Sequence, residues 1–364
     1  MGSNDTQINY DHPCDYQICD APFEIDPFMV IKESSKSSYT SPPFQIGPGQ
    51  DFLVPIQIIK TRKVQIASGG KIQFNLRQPM DWYALVIEEL EIKYSDEDDY
   101  ELVFEWFRGN FEELFDDLRG QNGKDAPDRP ITKRGLEGFA GETGERGGTR
   151  HSPHIFVFVR KISGREEDLN QSSFHFDMNG FMGGEGGRGG RGGKGDEGKR
   201  GSDGRQGGIF HACSSGKRGK RGGAPGKGGK GGDGGCGGAG PEIHFYFGDP
   251  KLRPILEKSR FDVDGAPAGY PNGDGPGAGG RPGPAGEPGR GGKGGRRAGN
   301  CDGGPRGHAG LPKPGSPDHN KWNLGLGRPA TRGPDGDYEL IPIEQGSLED
   351  AVFNDPNTSA GGKA

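Results

Sequence analysis

Residues 180–207 read GFMGGEGGRGGRGGKGDEGKRGSDGRQG, with glycine at Gly180, Gly183, Gly186, Gly189, Gly192, Gly195, Gly198, Gly201, Gly204 and Gly207. Neither an α-helix nor a β-strand has a period of three. The polyproline II helix does, turning once per three residues with a rise of about 3.1 Å per residue. In that conformation the glycines line one edge bare of side chains, where a second backbone can come close. The stretch reads as a rigid rod built to lie against similar rods.

The same period recurs on either side. Gly135, Gly138, Gly141, Gly144 and Gly147 form a short early tract. Gly216, Gly219 and Gly222 begin another, which slips phase and continues through Gly223, Gly226, Gly229, Gly232, Gly235 and Gly238. A last tract includes Gly277, Gly280, Gly283, Gly286, Gly289, Gly292 and Gly295. A flexible linker of this composition gains nothing from register, so the phase argues against disorder. Over 183–195 two of three faces are bare; from 196 onward Asp196, Lys199, Ser202 and Arg205 fill the second. The inner half of the rod should therefore be more enclosed than its outer half. In 223–238 the stripe Ala224, Lys227, Lys230, Asp233, Cys236 is expected to face outward, exposing Cys236.

Of 364 residues, 72 are Gly and 29 Pro, and only 29% are apolar, so a core in proportion to the length is not expected. Charge divides unevenly: residues 1–125 hold 11 Lys+Arg against 23 Asp+Glu, a net of −12, and the remainder carries +6 of the total −6. Acidic and basic parts can complement each other. The five cysteines, Cys14, Cys19, Cys213, Cys236 and Cys301, are odd in number and irregularly spaced, which does not read as a disulfide framework. No stretch reaches the length of a membrane span, and the N-terminus lacks the basic start and apolar run of a Sec-type signal. Localisation is left undetermined.

Alternation marks strands at Phe52–Ile59, Val64–Ala67 and Lys71–Leu76, with a turn at Ser68-Gly69-Gly70. Tyr83–Tyr94 and Tyr100–Phe107 flank an acidic stretch, residues 95–99, expected as a hairpin tip. Asn110–Leu118 fits a short amphipathic helix. Further on, short aromatic strands punctuate the glycine tracts: His154–Lys161, Ser173–Met178, Glu242–Phe247 and Ser259–Asp264. Tyr338–Ile343 fits an edge strand, because Pro342 cannot donate to a central ladder. His12, Cys14 and Cys19 give only a weak metal signal, and His154, His175 and His244 read as cross-strand partners rather than ligands.

These pieces predict a mainly β fold in three parts. Residues 1–125 form a β-rich acidic head, most simply a small sandwich. Residues 126–315 form a bundle of antiparallel glycine-rich polyproline-II-like helices capped by strands, and 316–364 a tail with the edge strand. The 28-residue rod and the 25-residue return at 216–240 imply an out-and-back path of roughly 80 Å at about 3.1 Å per residue. The bridge between them places Ile209, Phe210, His211 and Cys213 at a distal tip.

Tracts such as GGEGGRGGRGGKG and GGKGGKGGDGGCGG, launched from short strands, resemble the polyglycine II bundles of springtail antifreeze proteins and phage adhesin tips. They also resemble bacterial collagen-like proteins. The resemblance covers roughly 135–310 and transfers no site residue. It implies a structural or recognition protein. Within it, only 277–295 has the proline content of a collagen helix, and the Arg/Lys stripes disfavour an ice-binding face.

No catalytic constellation, cofactor motif or metal-ligand set is expected. Lys194 and Lys227 are followed by glycine, so no phosphate-binding GxxxxGK[ST] loop exists. The leading expectation is a non-enzymatic protein that self-assembles into a fibre, appendage or rigid scaffold, as a homo-oligomer or filament. The alternative is a receptor-binding adhesin with a cell-surface or anionic partner. Third is nonspecific attraction to nucleic acid through Lys217, Arg218, Lys220, Arg221, Lys227 and Lys230; the RGGRGG at 188–193 has no aromatics for stacking bases.

Overall fold

Side-chain alternation places the strands, and their pairing places everything else. In the computed structural model the described residues are 24–37, 40–67, 69–76, 80–93, 101–107, 117–207, 212–267, 281, 283–284, 286–291, 293–297, 301–306, 308–309 and 331–354. Among them are β1 (Phe44–Ile46), β2 (Asp51–Val54), β3 (Ile58–Ala67), β4 (Lys71–Phe74), β5 (Trp82–Lys93) and β6 (Glu101–Trp106). They continue with β7 (His154–Ser163), β8 (Ser173–Asp177), β9 (Glu242–Phe247), β10 (Arg260–Asp262) and β11 (Asp337–Pro342). The helices are short: α1 (Pro27–Lys36), α2 (Glu166–Gln171), α3 (Leu252–Glu257) and α4 (Leu348–Ala351).

The strands form two sheets, ordered β1-β3-β5-β7-β9-β11 and β10-β8-β6-β4-β2, and every pair is parallel. Parallel neighbours need a crossover. Here the crossover from β3 to β5, from β5 to β7 and from β7 to β9 is a strand of the other sheet. At one end the links are compact: a turn in which Gly69 has φ +69° joins β3 to β4, α2 joins β7 to β8, and α3 joins β9 to β10. At the other end, the links after β6, β8 and β10 are the long glycine-rich segments.

The core lies between the sheets. Tyr83, Leu85, Ile87, Ile155, Val157 and Val159 of one meet Ile72, Phe74, Phe104, Phe174 and Phe176 of the other. The outer face of the six-stranded sheet is apolar too, with Trp82, Ala84, Val86, Phe156, Phe158 and Tyr246 covered by Val30 and Ile31 of α1 and by Val352. Both faces of β5 and β7 are therefore buried, which is why their sequences run apolar without alternating. Parallel register also stacks like on like: Phe104 on Phe176 at 4.5 Å, Phe176 on Phe261 at 4.7 Å and Phe158 on Tyr246 at 4.5 Å between ring centres. Asp26 caps α1 by accepting the Phe28 N–H at 3.0 Å, and Pro27 opens its first turn.

The fold differs from the sequence expectation. It is not a mainly β sandwich head followed by a separate bundle of polyproline-II-like helices. Strands from residues 44–106 and from 154–342 share the same two sheets, giving an all-parallel, α/β-like arrangement. Among the described residues the glycine tracts are assigned no helix, and there is no glycine-rich helical bundle; the tracts connect the two sheets. The collagen-like expectation falls with it. Many glycine N–H groups of the tracts donate to carbonyls within the same chain, so the bare edges are used internally. Residues 95–99 and most of 110–118, expected as a hairpin tip and a helix, lie outside the described residues, as do His12, Cys14 and Cys19.

Candidate functional site: a cationic ledge on the glycine arms

Each glycine-rich connection leaves one sheet and returns to the other, and so forms an arm. In the second arm a Cβ added at Gly183, Gly186, Gly189, Gly192, Gly195, Gly198 or Gly201 would meet, in turn, the carbonyl of Gly235, Gly232, Gly229, Gly226, Gly223, Lys220 or Lys217. One number rises by three as the other falls by three, so the limbs are antiparallel and in register. Hydrogen bonds keep the step: Gly226, Gly229, Gly232 and Gly235 donate to Gly193, Gly190, Gly187 and Gly184 at 2.8–2.9 Å. The limbs meet near Arg205 and Ser214, which form an antiparallel bridge.

The second arm is sandwiched between the others. Gly184, Gly187, Gly190 and Gly193 donate to Gly148, Glu145, Glu142 and Phe139 of the first arm at 2.8–2.9 Å. Gly189, Gly192, Gly195, Gly198, Gly201 and Gly204 donate to Arg281, Pro284, Glu287, Arg290, Lys293 and Arg296 of the third at 2.9–3.1 Å. A third set of bonds comes from side chains. Asn122, Asp125 and Asp128, themselves three apart, accept the N–H groups of Arg188, Arg191 and Lys194 at 2.8, 2.6 and 2.8 Å. Sequence reasoning missed this ladder, although QNGKDAPD carries the period in its polar residues.

The first arm stops at Asp196. Its carboxylate accepts the N–H groups of Thr132, Lys133 and Arg134 at 3.0, 3.1 and 2.8 Å, and the Thr132 hydroxyl. Lys133 takes a left-handed conformation, φ 59°, to complete that turn. Asp196 is 1% exposed. Burial pushes its pKa up, but the Thr132 hydroxyl and the three N–H donors outweigh burial and bring it down to about 2.

Beyond Glu197, whose carbonyl accepts the Gly135 N–H at 3.0 Å, no described residue of the first arm bonds to the outgoing limb of the second. The stripe that holds Gly184, Gly187, Gly190 and Gly193 beneath the first arm now holds Lys199, Ser202 and Arg205, all exposed. On the return limb, the stripe of Gly232, Gly229, Gly226 and Gly223 becomes Lys220 and Lys217, also exposed. The two rows are tied together: the Lys220 N–H donates to the Lys199 carbonyl at 2.7 Å, and the Lys217 N–H to the Ser202 carbonyl at 2.9 Å. Glycine stands where a backbone presses and a polar or cationic side chain where none does. Asp203 is engaged by Arg200 at 2.7 Å. Among the described residues no carboxylate pairs with Lys199, Arg205, Lys217 or Lys220. Lys133 and Arg134, exposed at the end of the first arm, add to the same field.

A disulfide fixes the outer ends. Cys213, at the turn of the second arm, bonds Cys301 of the third across 88 residues. This overturns the reading that the cysteines form no framework. Stacked arms bring distant cysteines together, and irregular spacing hides that. Cys236 is not exposed, as expected from its stripe, but 5% exposed and disulfide-bonded, with the Arg146 guanidinium donating to its sulfur at 2.8 Å. The outward stripe is covered as it nears the sheets.

Of the other predicted residues, Gly180, Gly183 through Gly204, Gly226, Gly229, Gly232, Gly235, Gly283, Gly286 and Gly289 all press on a neighbouring backbone. Gly207 is exposed. Gly280, Gly292, Ile209, Phe210 and His211 lie outside the described residues. The strand histidines do not converge. His154 and His244 sit in neighbouring strands near Glu242, at 3.4 and 3.7 Å, while His175 lies in the other sheet beside Asp262 at 3.0 Å. Among the described residues no group of three or more His, Cys, Asp or Glu can hold a metal, and no helix is long and apolar enough to cross a membrane. No protein family, curated protein or solved structure matches the chain.

Proposed function

We propose that the protein is a rigid, non-catalytic scaffold that holds a cationic recognition ledge away from its sheets and binds an anionic partner there. The step between the first and second arms carries the reading. A purely structural arm has no need of charge at Lys199, Arg205, Lys217 and Lys220, since exposed serine would serve as well. Two tied rows of cations with no carboxylate partner among the described residues concentrate positive potential and steer an anionic surface toward them. The two rows are bonded to each other and, from behind, to residues 290–296 and 302–308 of the third arm, so little order is lost on binding.

Retention on an immobilised anionic polymer tests this. The triple variant Lys199→Gln, Lys217→Gln, Lys220→Gln should elute at clearly lower salt than the wild type. Lys251→Gln, exposed beside α3 and far along the chain from the ledge, should elute unchanged. Equal elution of the triple variant and the wild type would refute the reading.

A further inference from the structure

The pairing of the cysteines defines a second covalent site. Cys213 and Cys301 hold each other, and Cys236 is also disulfide-bonded. The chain has five cysteines, so the partner of Cys236 is Cys14 or Cys19, and the other of those two has no cysteine of the same chain left to pair with. We infer that Cys236 anchors the N-terminal segment to the second arm, and that the spare N-terminal thiol exchanges into this bond and releases the segment. This holds whatever binds the ledge.

The surroundings of Cys236 suit it as a leaving group. Gly144 and Gly147 of the first arm donate to the Lys230 and Asp233 carbonyls of the return limb at 2.9 Å. That ladder sets Arg146 beside Cys236, where its guanidinium donates to the sulfur at 2.8 Å. A guanidinium stabilises a thiolate next to it, and a stabilised thiolate leaves a disulfide faster. Cys236 itself is 5% exposed, so attack falls on the other sulfur of its bond. The exchange balances without an outside oxidant. The spare thiol gives its proton to solvent, and its thiolate attacks the N-terminal sulfur bonded to Cys236. A Cys14–Cys19 bond forms, the bond to Cys236 breaks, and the electron pair goes to the Cys236 sulfur beside Arg146.

Non-reducing peptide mapping of the full chain, trapped in mild acid with N-ethylmaleimide, is the test. Asp15 lies between the two N-terminal cysteines, so cleavage before aspartate separates them. The Cys236 peptide should be linked to that of Cys14 or Cys19, with the maleimide on the other. After incubation at about pH 8 without reductant, where more of the spare thiol is ionised, label should appear on Cys236 as a Cys14–Cys19 bond forms. Arg146→Gln should slow that step at least about threefold with an unchanged melting temperature, and Arg146→Lys should restore most of the rate. Of Cys14→Ser and Cys19→Ser, the variant that retains the anchoring cysteine should keep Cys236 bonded throughout. Wild-type Cys236 labelled at the outset while that variant holds it bonded means that exchange has run to completion, and supports the inference. Cys236 labelled from the start in both single variants would overturn the anchor. A wild-type bond that persists at about pH 8 as long as the variant's, or a rate indifferent to Arg146→Gln, would overturn the exchange.

Discussion

Gly189 lies at the centre of the second arm, and adding one methyl group there tests the packing of all three arms. A Cβ on Gly189 would lie 2.7 Å from the Lys230 carbonyl oxygen and closer still to that of Gly229, where ordinary contact begins at 3.4 Å. Both obstacles are backbone, so no side chain can rotate away. Relief requires the limbs to part by most of an ångström. That weakens the bond from Gly189 to Arg281 at 2.9 Å and the bond from Gly229 to Gly190 at 2.8 Å. Overpacking costs about 1–3 kcal/mol and two lost hydrogen bonds about 1–3 kcal/mol more, so Gly189→Ala should destabilise by about 4 kcal/mol. At roughly 2 °C per kcal/mol for a chain of this size, the melting temperature falls by about 8 °C. Gly190→Ala should be nearly as damaging, because its Cβ would lie 2.9 Å from the Gly123 carbonyl oxygen and nearer to that of Lys124. Arg191→Ala should cost no more than about 0.5 kcal/mol, since its side chain is exposed and its ion pair with Asp125 is a loose 3.8 Å. Alanine substitutions at Gly186, Gly187, Arg188, Gly189, Gly190 and Arg191, followed by thermal melting, read the profile. A flat profile, or one without a tolerant third position, would refute this account of the arms.

Asp196 makes the first arm's end sensitive to acid. Its pKa is about 2 in the folded chain against 3.8 as the ordinary value, so the stabilisation it supplies is complete above about pH 4 and is lost as pH falls toward 2. The shift corresponds to about 2 kcal/mol, and the stability gap between wild type and Asp196→Ala in acid titration should close over that window; a gap constant from pH 6 to pH 2 would contradict the assignment. Cys301→Ser opens a closed loop of 88 residues. Chain-entropy arguments value such a loop at about 4.6 kcal/mol, so the variant should melt lower than the oxidised wild type, and reduction should remove most of the difference. Ledge binding should weaken steeply with salt, because exposed charges are screened over about 8 Å at 0.15 M; affinity independent of salt would point to another surface.

Strand positions were legible because alternation and aromatic runs mark faces directly. HIFVFVRK and EIHFYF appear in the structure as β7 and β9. Pairing direction was not legible: alternation says which way a side chain points, not which strand lies beside it. β4 and β5 follow one another in sequence yet belong to different sheets. The change of character at Asp196, Lys199, Ser202 and Arg205 was visible as a filled face, but nothing in the sequence showed that it marks where the first arm ends. The period of three correctly marked close backbone contacts while suggesting the wrong secondary structure, because a period specifies the spacing of bare positions and not the conformation between them. The Cys213–Cys301 disulfide depends on how arms stack, which no local pattern records.

Ordered, hydrogen-bonded arms are what hold the ledge in place, and amide hydrogen exchange along the return limb, 216–238, tests them most directly. The N–H groups of Gly223, Gly226, Gly229, Gly232 and Gly235 each donate at 2.8–2.9 Å to the outgoing limb. Those of Ala224 and Lys230 donate to no partner among the described residues. Residue-resolved exchange should therefore show slow amides at every third position from Gly223 to Gly235, with Ala224 and Lys230 exchanging much faster between them. Uniformly fast exchange along the limb would mean the arms are not held as described, and the ledge would lose its support.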